Sequence, residues 1–148
     1  MNHPHWRLCV LFLLSAAVGH ARDLYRLSSL EGLSVIHTDF GKRVNENGTL
    51  SASPDKIAGE ITISIEKEGD EDQHYIDHNG GKHRVFSVRG KNSVTFIESY
   101  GGNIFLWTVC LEEKNKDGSL LLIMTANLTD GALGIRNKVF RGKATPLK

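Results

Sequence analysis

Apolar and polar residues alternate over short stretches of this chain, which is the pattern of β-strands. The clearest stretch is 60–67, where Ile61, Ile63 and Ile65 alternate with threonine, serine and glutamate. Successive side chains of a strand point to opposite faces, so we expect the three isoleucines on one face and the polar side chains on the other. Seven further stretches have strand character: 33–40, 50–57, 73–77, 84–89, 93–98, 103–112 and 120–126.

Short turns of glycine and polar residues separate these stretches. Pro54 predicts that 50–57 lies at a sheet edge or contains a bulge, because proline cannot donate a backbone hydrogen bond. Strands at this spacing favour an antiparallel meander, either closed as a barrel or folded as a sandwich. The final stretch differs, because Thr129 or Asp130 can cap a helix over about 131–141.

The first 21 residues have the layout of a secretory signal peptide. Arg7 precedes the apolar stretch 8–18, and the small residues Gly19 and Ala21 lie at the −3 and −1 positions of a cleavage site. Such a stretch is too short to cross a hydrocarbon core of roughly 30 Å, and no later stretch is long and apolar enough to do so. We therefore expect a secreted, extracellular protein without membrane insertion, in which 22–148 form a single domain.

The charge balance excludes one class of partner. The 148 residues include 18 basic and 17 acidic side chains, whereas a nucleic-acid-binding domain needs a strongly basic face. Loss of Arg7 with the signal peptide leaves a formal net charge of zero, which removes electrostatic attraction to polyanions or membrane surfaces as a driving force. We expect no nucleic-acid partner.

Two further features fit the secretory pathway. Asn47 and Asn127 each begin an Asn-x-Thr acceptor sequence for glycosylation, and Asn47 is the better candidate because it lies in a polar turn. Cys9 lies in the signal peptide, so Cys110 has no internal disulfide partner in the mature chain. We expect the Cys110 thiol to be mostly buried in the strand 103–112 and unreactive.

Several segments resemble a lipocalin, most closely the odorant-binding and major-urinary branch. Leu-Glu-Gly at 30–32, followed by a strand and then by the basic and Asn-Gly loop at 42–48, resembles the first strand and long loop of that branch. The tract 86–133 resembles its later strands in spacing and turn placement, and Tyr100 falls where the Thr-Asp-Tyr motif has its tyrosine. Residues 127–130 resemble the segment that leads into the packed helix of the family.

The resemblance implies an all-β fold, an eight-stranded antiparallel up-and-down barrel with a short C-terminal helix. It also implies a carrier that holds a small hydrophobic molecule, such as an odorant, a pheromone or a lipid-like compound. The chain departs from the family where Gly32, Leu33 and Ser34 replace the Gly-x-Trp motif, and the usual disulfide is absent. We therefore expect a divergent and less firmly closed barrel.

The inward faces of these strands would line a ligand cavity. On the strand 103–112 the pattern leaves two faces open, either Phe105, Trp107 and Val109 or Ile104, Leu106 and Thr108. The alternative function is a protein-interaction module on the same scaffold, in which apolar side chains fill the barrel and the loops contact a receptor or another partner protein. The predicted lining residues are Ile61, Ile63, Ile65, Phe86, Val88, Val94, Phe96, Phe105, Trp107 and Val109.

The sequence gives little support for catalysis or metal binding. His74 and His78 would share one face of a strand, but about 13 Å apart, which is too far for one ion. Cys110 lies between Val109 and Leu111, with no neighbour that would stabilise a thiolate. We expect no enzymatic activity, no cofactor and no metal site.

Overall fold

The computed structural model describes residues 21–37, 50–78, 80–130 and 134–148, and these residues are all-β. No helix in these ranges is long and apolar enough to cross a membrane. The strands are β1 (Arg22–His37), β2 (Leu50–Ile57), β3 (Ile61–Glu68), β4 (Glu71–His78), β5 (Gly81–Arg89), β6 (Ser93–Tyr100), β7 (Asn103–Lys114), β8 (Leu120–Asp130) and β9 (Gly134–Pro146).

Eight of these strands close into an antiparallel barrel. Each strand from β3 to β8 pairs with the strand that follows it, and β1 closes the ring by pairing with both β3 and β9. The prediction of an all-β, eight-stranded antiparallel barrel is therefore confirmed.

β2 is an additional strand outside the ring. Among the described residues it pairs with the second half of β1 alone, in the register Leu30 opposite Ile57 through His37 opposite Leu50. β3 occupies the same side of β1 nearer its start, where Tyr25 lies opposite Ile63. The prediction that Pro54 marks an edge strand is confirmed.

The predicted helix over about 131–141 is wrong from residue 134 onward, and 131–133 lie outside the described residues. β9 alternates like a strand, with Val139 exposed and Phe140 and Ala144 buried. It pairs with β8 on one side and with β1 on the other, so its backbone hydrogen-bonding groups are satisfied without a helix. β9 is therefore the eighth strand of the ring, whereas β2, which a meander of the eight predicted strands would include, lies outside it.

The seam between β1 and β9 contains a β-bulge. Ser28 lies opposite Lys143 and Glu31 opposite Arg141, so Ser29 and Leu30 together face Gly142. Ser29 adopts a positive φ of 54°, and a Cβ on Gly142 would lie 2.8 Å from the Ser28 carbonyl oxygen, so glycine permits this close approach. The extra residue also explains how Leu27 and Leu30 can both be buried at a spacing of three.

Side chains from all eight barrel strands pack together in the centre of the barrel. These side chains come from strands that are far apart in the sequence, and together they form one continuous hydrophobic core. Each is at most 2% exposed: Leu27, Ile63, Ile76, Val85, Phe96, Trp107, Leu122 and Phe140. This middle layer is filled by the protein itself.

Candidate functional site

Most of the predicted lining residues lie inside the barrel. On β7 the structure selects Phe105, Trp107 and Val109 as the inward face, while Ile104 is exposed. On β3, Ile65 is only half-buried. Ser64 is buried, although the alternation predicts that it faces water. The buried members of the predicted set are Ile61, Ile63, Val94, Phe96, Trp107 and Val109.

The prediction that Phe86 and Val88 face the interior is wrong. Phe86 is 72% exposed and Val88 is 57% exposed, whereas Val85 is buried in the core. β5 carries apolar residues on both faces, and its register against β4, with Val85 opposite His74, decides which face points inward. The inward face of β5 also carries His83, which is half-buried.

A buried carboxylate lies inside one end of the barrel. Glu98 follows Val94 and Phe96 on β6 at a spacing of two, so it points inward with them and is fully buried. His78 Nε2 lies 2.9 Å and His83 Nδ1 lies 2.5 Å from Glu98 Oε1. Trp107 Nε1 donates to Oε2 at 3.1 Å. We call Glu98, His78, His83 and Trp107 the Glu98 cluster.

Four neighbouring strands assemble the Glu98 cluster. His78 ends β4, His83 lies near the start of β5, β6 supplies Glu98 and β7 supplies Trp107. His78 lies opposite Gly81 in the register, and a Cβ on Gly81 would be only 2.9 Å from His83 Nε2. Glycine at 81 therefore leaves room for the His83 ring.

Aromatic rings surround the two histidines at the barrel end. The His83 ring stacks on Tyr100 at a centroid distance of 4.5 Å, and the His78 ring lies 6.1 Å from that of Trp107. The side chains of His78 and His83 are 17% and 20% exposed. Solvent can therefore reach the histidines but not the carboxylate beneath them.

The hydrogen bonds of the Glu98 cluster shift the pKa values of Glu98 and His78 in opposite directions. Burial would raise the pKa of Glu98, but the hydrogen bonds from His78, His83 and Trp107 outweigh burial and hold that pKa below its ordinary value. The hydrogen bond to Glu98 raises the pKa of His78 above its ordinary value, against the opposing effect of burial. The ionised Glu98 carboxylate and the protonated form of His78 thus stabilise each other.

A pocket of about 340 Å³ lies at the opposite end of the barrel, and we call it the arginine pocket. Val94 and Phe96 belong both to this pocket and to the core, and the rings of Tyr25 and His74 lie 6.3 and 5.6 Å from that of Phe96. Burial lowers the pKa of His74. The residues of the pocket are Arg22, Leu24, Tyr25, His74, Arg89, Val94, Phe96, Pro146 and Leu147.

The remaining predicted features lie apart from both sites. Asn47 falls outside the described residues, while Asn127 is exposed on β8. Cys110 is a free thiol on β7, and its intermediate burial agrees with the prediction of a mostly buried side chain. Glycosylation of the two asparagines stays a prediction.

Sequence reasoning did not identify the Glu98 cluster. It paired His78 with His74, whereas His74 lies in the arginine pocket and His78 contacts Glu98 and has His83 as its neighbour. One signal was available: Glu98 is in phase with Val94 and Phe96, so the alternation itself predicts an inward carboxylate. A buried carboxylate requires hydrogen-bonding partners, and histidines on neighbouring strands are suitable donors.

The fold and the interior define a closed, all-β barrel with polar groups at both ends, an architecture compatible with a ligand-binding carrier. Searches against protein-family models, curated proteins and solved structures return no match for this chain. The resemblance to lipocalins therefore stays a prediction.

Proposed function

We propose that this protein is a secreted carrier that binds a small hydrophobic molecule at the arginine end of its barrel. The observation that carries the proposal is the arginine pocket, which combines about 340 Å³ of space with an apolar floor of Val94 and Phe96. Ligand pockets in proteins generally have volumes of roughly 300–1,000 Å³. The signal-peptide pattern and the resemblance to lipocalins also favour a secreted carrier.

The charged groups of the pocket favour a ligand with an anionic head. Arg22 and Arg89 are exposed, and neither forms an ion pair with any residue that the structure describes. A guanidinium binds carboxylate or phosphate with two parallel hydrogen bonds. Because the middle layer of the barrel is filled, the apolar part of the ligand would be short and would contact Phe96 and Val94.

The test is binding of an uncharged fluorescent apolar probe, N-phenyl-1-naphthylamine, to the chain that begins at Arg22. We expect saturable binding and displacement by a medium-chain carboxylate more effectively than by the matching alcohol. Arg89→Gln should remove that preference. Arg84→Gln is the matched control, because Arg84 is an exposed arginine on the same strand that does not line the pocket.

Two results would contradict this proposal. One is the absence of saturable probe binding, and the other is equal loss of carboxylate preference in Arg89→Gln and Arg84→Gln. Both variants change exposed side chains, so we expect both to fold.

The second candidate function is a protein-interaction module on a filled barrel. It is favoured by an apolar groove of about 580 Å³ on the outer wall, formed by β1, β8 and β9. Leu33 and Val139 in this groove are 51% and 54% exposed, and exposed apolar patches are typical of interaction sites. Probe binding that is lost in Val139→Glu would place the probe in this outer groove rather than in the arginine pocket, and would favour the second function.

A further inference from the structure

We propose that the Glu98 cluster is a binding site for a divalent transition-metal ion of the zinc type, with His78, His83 and Glu98 as its protein ligands. The site lies at the end of the barrel opposite the arginine pocket, so it is independent of the proposed carrier function. Two imidazoles and one carboxylate form a ligand set that zinc uses in proteins, with water in the fourth position.

The donor atoms already lie close together. One nitrogen of each histidine and one carboxylate oxygen all lie within 4.8 Å of one another. Ligand distances of about 2.0–2.2 Å around a tetrahedral ion place neighbouring ligand atoms roughly 3.3 Å apart. Small ring movements of about 1 Å therefore suffice, and the ion would replace the hydrogens that now link both imidazoles to Oε1.

The surroundings hold the ligands in orientation. Trp107 Nε1 donates to Oε2 of Glu98, which leaves Oε1 directed at the two histidines. Tyr100 stacks on the His83 ring and limits its rotation. Hydrogen bonds from outside the ligand set orient carboxylate ligands in this way in metal sites generally.

Access and selectivity also fit a bound ion. The histidine side chains are 17% and 20% exposed, so an ion and a coordinating water can reach the site from the barrel end, whereas Glu98 is shielded. Imidazole nitrogen favours zinc and related transition metals, while magnesium and calcium prefer sites made only of oxygen ligands. We therefore expect zinc to bind and magnesium and calcium not to bind.

The chain that begins at Arg22 contains its own optical probe for this site. Trp6 precedes Arg22, so Trp107 is the only tryptophan in that protein, and it contacts Glu98 directly. We expect Zn²⁺ to change Trp107 fluorescence with one-to-one saturation below about 100 μM. Equal concentrations of Mg²⁺ or Ca²⁺ should leave the fluorescence unchanged.

Variants and a measurement on the wild type assign the ligands. His83→Ala should weaken Zn²⁺ binding at least about tenfold in calorimetry. His74→Ala is the matched control, since His74 lies on the same barrel but outside the cluster, and we expect its affinity to change less than about twofold. In the unmodified protein, Zn²⁺ should shift the ¹⁵N resonances of the His78 and His83 rings and not those of His74, which tests the site without any substitution.

The alternative is that the Glu98 cluster is only a structural hydrogen-bond network. No saturable fluorescence change, equal weakening in His83→Ala and His74→Ala, or ¹⁵N shifts confined to other histidines would each overturn the proposal. Because the arginine pocket is tested by Arg89→Gln and a carboxylate ligand, failure of the metal site leaves that result unaffected.

Discussion

Replacing Ile63 by alanine tests whether the middle of the barrel is filled. Ile63 is fully buried on β3 and lies opposite Tyr25 on β1 and Ile76 on β4. The substitution removes three carbons, which at about 0.8 kcal/mol per buried methylene amounts to about 2.4 kcal/mol. Incomplete collapse of the space left behind raises the expected loss towards about 5 kcal/mol.

The assay is urea unfolding of the chain that begins at Arg22, with chelator present so that bound metal does not contribute. Phe86→Ala is the matched control, because Phe86 is 72% exposed and its truncation should change the free energy of unfolding by at most about 0.5 kcal/mol. A loss below about 1 kcal/mol for Ile63→Ala would mean that Ile63 borders an open cavity. A larger loss for Phe86→Ala than for Ile63→Ala would refute the assignment of inward faces.

Three further predictions concern polar groups and the free thiol. Glu98→Ala should lower the free energy of unfolding by about 2–3 kcal/mol in urea with chelator, since it leaves the buried Trp107 donor without its acceptor and removes the acceptor of the two partly exposed imidazoles. Glu98→Gln should cost less. The hydrogen bond from Lys138 holds the pKa of Asp55 below its ordinary value of 3.8. This contact therefore stabilises the fold above pH 3.8, and the stabilisation is lost as the pH falls through the lowered pKa. The difference in the free energy of unfolding between wild type and Asp55→Asn, measured in urea, should disappear in acid. Cys110 should be alkylated in the native protein without denaturant, as followed by mass spectrometry, and complete protection would contradict its half-buried position.

β3 and β5 show how far alternation in the sequence can predict the interior. In β3 the apolar residues occupy one face, so the prediction that Ile61 and Ile63 point inward follows from the period of two and agrees with their burial. In β5, Val85 lies on one face and Phe86 and Val88 on the other, so the count of apolar residues favoured the wrong face. Pairing with β4 resolved the choice, and that register is not encoded within β5 itself.

The error in β9 has a geometric origin. Ile135 and Val139 are four residues apart, a spacing that keeps side chains on one face both in a helix and in a strand. The decisive interaction is the pairing of β9 with β1, which lies about a hundred residues earlier in the sequence. The helix propensity of residues 131–141 contains no information about so distant a strand. Pairing within the closed barrel therefore outweighs the ability of Asp130 to cap a helix.

The position of the Glu98 cluster follows from the same geometry that fills the barrel. β6 carries Val94 near one end, Phe96 in the middle and Glu98 near the other end, all on the inward face. Phe96 lies opposite Trp107 in the register, so this aromatic pair belongs to the packed layer between the two polar ends. Because that layer excludes solvent, a charge placed next to it must bring its own partners, and the histidines of the neighbouring hairpin provide them. A ligand in the arginine pocket and an ion in the Glu98 cluster would therefore lie on opposite sides of one packed layer, and neither would occupy the space that the other needs.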